Sequence, residues 1–248
     1  MTQLKIVRIP VLPFRMVNCF LLLGKEGCIL VDTGLPGSEY KIGRALGKHG
    51  LVFRDIKLIV ITHAHIDHAG SAARMRELSG APIVAHEGDL KHYLREAPMT
   101  FCPTGWFAHL FKATGLIFRP YTAFRPDILL ADDEVLDFNR YGIHGIIKHT
   151  PGHTAGSITM ELHSMDAMVG DLVASGILIG GIVRTGHAIR PPFEDDPHAV
   201  ADELQQLIDS GMQRFHMGHG GPLEAGEVQR HVRALLALNR RNSRSWSK

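Results

Sequence analysis

The chain opens on short apolar runs separated by polar or turn-forming residues: LKIVRIPV, VNCFLLL and CILVDTG. Runs of this length, rich in β-branched side chains and leucine, predict strands, and the last ends in a turn leading toward a helical stretch over residues 38–49. A further apolar run, KLIVIT, is followed by AGSAARMREL, whose Ala, Arg, Met and Leu favour helix. The residues between them therefore occupy a strand-to-helix turn. APIVAH reads as another strand. Residues 88–125, rich in Phe, Trp, Leu and Pro, suit short helices over an opening better than sheet and are expected to form a helical cap. Strand patterns return from residue 134 in EVLDF, GIHGIIKHT, SITMELH and AMVGDLVASGILIGG, and helices are expected at about 196–210 and 224–239, on either side of RFHMGHGG.

Two β-rich halves, each carrying helices, predict an α/β (α+β) fold in which two sheets pack face to face with helices outside. No fixed-period repeat or low-complexity linker marks a boundary, so residues 1–248 are expected to form a single domain with the cap as an insertion. The formal charge of +2 is spread along the chain. Its one dense basic run, Arg240, Arg241 and Arg244, reads as a solvated tail, so nucleic acid is not an expected partner. The start of the chain lacks a charged segment followed by an unbroken apolar one, and no stretch approaches ~18 uninterrupted apolar residues. A cytoplasmic protein without membrane contact is expected. The three cysteines, Cys19, Cys28 and Cys102, share no short metal spacing and predict buried free thiols, with Cys102 packed in the cap.

Chemistry concentrates in VITHAHIDHAG, residues 60–70. In extended backbone, side chains two apart point the same way, so His63 and His65 can face one ion together. As the chain turns into helix, Asp67 and His68 can serve a neighbouring ion, while Ala69 and Gly70 let the backbone approach closely. A lone histidine is ordinarily a surface or hydrogen-bonded core residue. Three imidazoles and a carboxylate on one turn would instead repel when protonated and gain little by packing, which points to metal. Later come His153 on a Pro-Gly turn, Asp171 at a strand end and His219 between glycines, each weak evidence alone. Seven ligands are too many for a tetrahedral structural zinc and suit two ions sharing a bridging carboxylate, with positions left for water and substrate.

With HAHIDH as the hallmark His-x-His-x-Asp-His, the sequence resembles the metallo-β-lactamase superfamily; His153, Asp171, His219 and the early VDTG with Asp32 follow in the same order. The resemblance runs from about residue 5 to 239. It implies a four-layer αββα sandwich with the metal site at one edge of the sheets. It also implies that His63, His65 and His153 hold the first metal, that Asp67, His68 and His219 hold the second, and that Asp171 bridges them. Asp32 is expected to support the ligand loops. Zn2+ is the expected metal at both positions, with Fe or Mn as alternatives.

The expected reaction is attack of a metal-bound hydroxide on an ester, lactone, thioester or amide carbonyl, with Asp67 also passing a proton to the leaving group. No Gly-x-Ser-x-Gly is present to suggest a side-chain nucleophile. β-Lactam hydrolysis and a mononuclear-iron persulfide dioxygenase stand as alternatives. A fold retained for binding without turnover is disfavoured by the intact ligand set, and nuclease and flavodiiron chemistry lack their additional modules. The expected substrate is a small molecule, with an apolar or acyl group that the cap's Met99, Phe101, Trp106, Phe107, Leu110, Phe111, Leu116 and Phe118 suit. The same apolar surface would also serve a homodimer contact. Trp106 and Phe107 are expected to touch substrate, and Arg184, His187 and Arg190 are candidates to meet an anionic group. Tyr121 and His187 are candidate oxyanion donors or accessory ligands.

Overall fold

The computed structural model describes residues 4–178 and 180–238; Arg240, Arg241 and Arg244 lie outside them. The first sheet holds β1 (Lys5–Pro10), β2 (Asn18–Leu23), β3 (Cys28–Val31), β4 (Ile56–Val60), β5 (Ile83–His86) and β6 (Ile128–Leu130), adjacent in chain order. β1 to β3 form an antiparallel meander, whereas β3 to β6 run parallel. Parallel neighbours need a crossover, and helices supply it. α1 (Glu39–Gly47) joins β3 to β4, and the short α2 (Ile66–Ala69) with α3 (Ala72–Ser79) joins β4 to β5. The cap follows β5 and contains α4 (Leu90–Tyr93) and α5 (Trp106–Ala113).

The second half contains β7 (Val135–Asp137), β8 (Gly145–His149), β9 (Ile158–Leu162), β10 (Asp166–Met168), β11 (Ala174–Ser175), β12 (Ala188–Ile189), β13 (Arg214–His216) and β14 (Leu223–Glu224). Its main sheet is ordered β14-β13-β10-β9-β8-β7, and β11 pairs with β12 separately. α6 (Pro197–Asp209) precedes β13, and α7 (Ala225–Leu236) follows β14. Pro197 at the first helical position and the Asp196 side chain, accepting from the His198 and Ala199 amides, start α6. No helix among the described residues is long and apolar enough to cross a membrane.

Alternation along the strands builds three apolar layers. In β2, Cys19 and Leu21 join Ile42 and Leu46 of α1 and Met75 of α3 on one side of the first sheet. Phe20 and Leu22 point the other way and meet Phe138, Ile147, Ile158 and Met160 between the sheets. Behind the second sheet, Ala167 and Phe215 pack on Val200 and Leu204 of α6 and Val228 and Val232 of α7. The result is an αββα sandwich. A period of two with both faces apolar explains why β2 reads as a nearly continuous hydrophobic run. Cys19 and Cys28 are buried free thiols, and Cys102 is a half-buried one.

Two strand expectations need correction. AMVGDLVASGILIGG is not one strand: β10 stops at Met168, Gly170 takes φ +51°, and the chain turns to present Asp171 before the two-residue β11. Val169, Leu172 and Val173 of that run are buried in a loop next to the site, an environment hydropathy does not distinguish from a strand, while Ile177 and Leu178 are exposed. Conversely, Ile128–Leu130 was not foreseen as a strand. It is the parallel edge partner of β5, recruited by tertiary pairing after the cap.

Candidate metal centre

The hallmark residues sit where β4 runs out into α2. Extended backbone up to His65, which caps α2 with ψ 149°, places His63 Nε2 3.0 Å from His65 Nδ1. From the second sheet, the loop between β8 and β9 brings His153 Nε2 to 3.2 Å from His63 Nε2 and 3.1 Å from His65 Nδ1. All three rings are buried. On the next turn, His68 Nε2 lies 4.0 Å and His219 Nε2 3.4 Å from Asp67 Oδ2. Asp171 stands between the groups, with Oδ2 3.8 Å from His153 Nε2 and 2.9 Å from His219 Nε2, and Oδ1 3.5 Å from His68 Nε2. Glycine is required at position 218 for this closeness, since a Cβ there would lie 2.3 Å from His68 Cε1 and 2.4 Å from Asp171 Oδ1.

Surrounding hydrogen bonds fix which ring nitrogen faces inward. The Thr62 hydroxyl donates to Asp32, 3.0 Å from either carboxylate oxygen, and accepts from His63 Nδ1 at 3.0 Å, which leaves Nε2 as the lone pair. His68 Nδ1 donates to Asp32 Oδ2 at 2.8 Å, and His219 Nδ1 donates to the Met16 carbonyl. Asp32 itself takes a left-handed φ of +58°, a conformation Asp tolerates better than most residues. His68 Nε2 and Asp171 Oδ1 are buried without a hydrogen-bond partner. Such orphaned polar atoms are costly unless something else binds them.

The donor set fits metal. Three nitrogens 3.0, 3.1 and 3.2 Å apart approximate one face of a tetrahedron whose edge is about 3.3 Å for Zn–N bonds of about 2.05 Å. Burial lowers the pKa of His63 and His65 well below the ordinary value, aided by neighbouring histidines, and lowers that of His153 to about 4. These imidazoles are neutral at pH 7, the form that ligates. Burial opposes charge on His68 and His219 as well, but Asp171 with Asp32 and Asp67 raises His68 well above the usual range, and Asp171 with Asp67 raises His219 to about 9. Burial pushes Asp171 the other way from its net shift; His219 and His68 hold it well below the usual carboxylate range. The second group thus balances cation against anion where an ion would take both donors.

Two supports escaped the sequence reading. Asp89, at 1 % exposure, accepts from the Ala64 amide (2.8 Å), the Thr154 hydroxyl (3.0 Å) and the Gly156 amide (2.9 Å), tying the His63–His65 segment to the His153 loop. The Asn18 amide group donates to the Gly218 carbonyl at 3.1 Å and to the Gly220 carbonyl at 3.2 Å, on both sides of His219. Neither lies in a motif. A buried-looking Asp after a strand, in AHEGD, was the available signal for the first.

The centre opens into a cavity of about 610 Å³ bordered by His65, Asp67, His153, Asp171 and His219. Its wall includes Phe101, Phe111 and Leu116 from the cap, as expected, but Trp106 and Phe107 do not line it. The helical period explains the difference. Ala108 and Phe111 of α5 turn inward, leaving Trp106 and Leu110 74 % and 61 % exposed. Phe107 stacks on Phe111 instead. Arg184 and His187 are also absent from the wall; the β11–β12 hairpin carries them away, and His187 Nδ1 lies 3.2 Å from Glu227 Oε1 of α7. Arg190 pairs with Glu194 at 2.6 Å. The Tyr121 hydroxyl donates to the Ala64 carbonyl at 3.0 Å, a positioning bond beneath the ligand segment. Phe193 and Arg119 line the cavity without having been singled out.

A separate group, His86, Asp132 and His149, shares no residue with this centre. The Gly88 amide donates to His86 Nδ1 at 3.1 Å, so the nitrogen facing Asp132 carries the proton. With that nitrogen protonated and Asp132 exposed, the group does not offer three converging lone pairs.

The sequence profile of the metallo-beta-lactamase superfamily matches residues 12–214, a span holding every residue of the cluster except His219. The chain belongs to that superfamily. Among curated relatives, the probable metallo-hydrolase YqgX of Bacillus subtilis is 29% identical over 181 residues, covering 72% of this chain and 74% of that one. The hydroxyacylglutathione hydrolase GloC of Haemophilus influenzae is 27% identical over 225 residues, covering 90% and 93%. Among solved structures, the archaeal superfamily protein ST1585 of Sulfolobus tokodaii superposes with a TM-score of 0.65 at 17% identity, covering 95% of this chain and 87% of that one. The B3 metallo-beta-lactamase BLEG-1 gives a TM-score of 0.67 at 23% identity, covering 93% and 99%. These superpositions establish the fold. With the family and its relatives, the chain is a metallo-hydrolase.

Proposed function

We propose that this metallo-hydrolase is binuclear and cleaves an ester, lactone, thioester or amide carbonyl. One observation carries the reading: two donor groups, the buried His63, His65 and His153 on one side and Asp67 with the buried His68 and His219 on the other, flank a single carboxylate, Asp171. Divalent ions bound there, zinc foremost, would supply Lewis acidity and acidify water at neutral pH. The chain's own residues do the rest. Thr62, Asp32 and the Met16 carbonyl hold three imidazoles in the ligating tautomer. Asp67, partly exposed and on the cavity wall, is the group we assign to passing a proton to the leaving atom. The apolar cap residues exclude bulk water and hold the acyl or aromatic part of the substrate.

The relative called hydroxyacylglutathione hydrolase supports including thioesters. The likeness to B3 β-lactamases lies below 25% identity and supports fold alone, so β-lactams are not the preferred substrate. The test pairs elemental analysis with a panel of lactones, thioesters, phosphodiesters and β-lactams. About two metal ions per chain with turnover of a carbonyl ester or lactone is expected. Full activity without metal would end the proposal, and one iron per chain with persulfide oxidation would replace it.

A further inference from the structure

Arg119 is the one charged side chain on the cavity wall besides the five ligand residues already named there. It is exposed, and its guanidinium has no ion-pair partner among the described residues, where other arginines such as Arg190, Arg214 and Arg230 do. It also borders a second, smaller cavity of about 260 Å³, and Ile66, Phe101, Ile117, Arg119 and Pro120 belong to both walls. The second cavity carries Arg95 as well as Arg119, and no carboxylate lines it. Arg95 is likewise exposed and without an ion-pair partner among the described residues. It holds a left-handed φ of +59° at the end of α4, where glycine is the ordinary occupant. A chamber walled by phenylalanine, leucine and proline therefore runs from the His/Asp centre to the Arg119 guanidinium, and the smaller cavity that shares part of its wall adds that of Arg95.

We infer that the substrate is bipartite: its hydrolysable carbonyl lies at the His/Asp centre, its apolar body fills the larger chamber, and an anionic group, carboxylate or phosphate, is held by Arg119 with Arg95. This rests on the hydrolase reading for the position of the carbonyl, but the anion subsite is defined by the arginines alone. Guanidinium suits both oxyanions because its forked N–H groups meet two oxygens at once. Charge at the far end of an otherwise apolar molecule would also set which way round it enters.

Binding is measured first, by calorimetry on the zinc-loaded and the metal-free protein. The probes are 8-amino-8-oxooctanoate, its neutral methyl ester, and 6-carbamoylhexyl phosphate; the amide stands in for the scissile carbonyl. Either anionic probe should bind about three- to tenfold more tightly than the neutral one, the range of a partly solvated charge-assisted contact. The tighter of the two identifies the anion. Arg119→Met should abolish the preference with little effect on the neutral probe, and Arg119→Lys should restore part of it. The activity arm compares kcat/KM for p-nitrophenyl hydrogen suberate and its methyl ester, with the same expectation. Equal binding of charged and neutral probes, or a preference that survives Arg119→Met in both metal states, would overturn the inference. If neither ester is turned over while the binding preference holds, the hydrolase reading has failed and the anion subsite stands.

Discussion

Replacing Asp89 by Asn tests whether this carboxylate, far from any ligand in sequence, holds the first metal group together. Its two oxygens accept three hydrogen bonds, two on Oδ2 from Ala64 and Thr154 and one on Oδ1 from Gly156. Asparagine keeps the shape and one acceptor. Its cheaper orientation leaves oxygen toward Ala64 and Thr154 and turns the NH2 against the Gly156 amide, which now lies donor to donor. The two cannot separate easily, because a Cβ on Gly156 would already lie 2.5 Å from Asp89 N and 2.7 Å from its Cγ. Losing one hydrogen bond to a charged group costs about 1.5–3 kcal/mol, and a buried unpaired amide adds about 1–3 kcal/mol. Against this, the carboxylate is itself disfavoured: burial raises its pKa despite the three donors. A net loss of about 2–4 kcal/mol follows, which a domain of ordinary stability survives. The displaced segment carries His63, His65 and His153, so zinc affinity should fall about tenfold or more at that group and much less at Asp67, His68 and His219. Urea denaturation gives the first quantity, and competitive zinc titration against a chromophoric chelator gives the second. A stability change under about 0.5 kcal/mol with both zinc affinities intact would refute the reasoning.

Gly218→Ala places a methyl 2.3 Å from His68 Cε1, so overpacking of about 1–3 kcal/mol and loss of one of two zinc ions are expected in denaturation and elemental analysis; a fully loaded variant would count against the geometry. Glu194 makes a pH prediction: burial raises its pKa from 4.5 to about 7, in spite of Arg190. Between those values the folded state alone keeps the proton, so this group's contribution to stability is complete below about pH 4.5 and is lost as pH rises to about 7. Relative to Glu194→Gln, the native protein should lose about 3 kcal/mol across that window, and parallel stability curves for the two proteins would contradict it.

How much of this was legible in advance differs by residue. The apolar runs VNCFLLL and KLIVIT, with helix-favouring segments behind them, were enough for sheets packed face to face, because strands buried on both faces read as continuous hydrophobic runs; the four-layer order came with the family resemblance. The hallmark cluster was legible because its residues are contiguous, and contiguity makes their convergence a local matter. Asp89 and Asn18 were not, since their partners lie 25 to 202 residues away and hydrogen bonds to backbone ask only for one polar side chain in the right place. The cap failed differently. Its apolar content was plain, but which aromatic rings face the cavity depends on the phase of a single eight-residue helix, and Trp106 fell on its outer side.

The ligands' origin explains why so many polar bonds gather at this edge. His63, His65, Asp67 and His68 follow β4 of the first sheet, whereas His153, Asp171 and His219 come from loops of the second. Apolar packing between the sheets is non-directional and tolerates small slips, but donors about 3 Å apart do not. Directional contacts across the gap remove that freedom: the Ile158 amide donates to the Thr62 carbonyl at 2.9 Å, and the Asn18 amide to the Gly218 carbonyl at 2.8 Å. Asp89 adds a third tie, from Ala64 to Gly156. Each tie lands on, or within three residues of, a ligand from the opposite sheet's partner group. The apolar core therefore brings the two halves together, and these few hydrogen bonds set the register at which HAHIDH meets His153, Asp171 and His219.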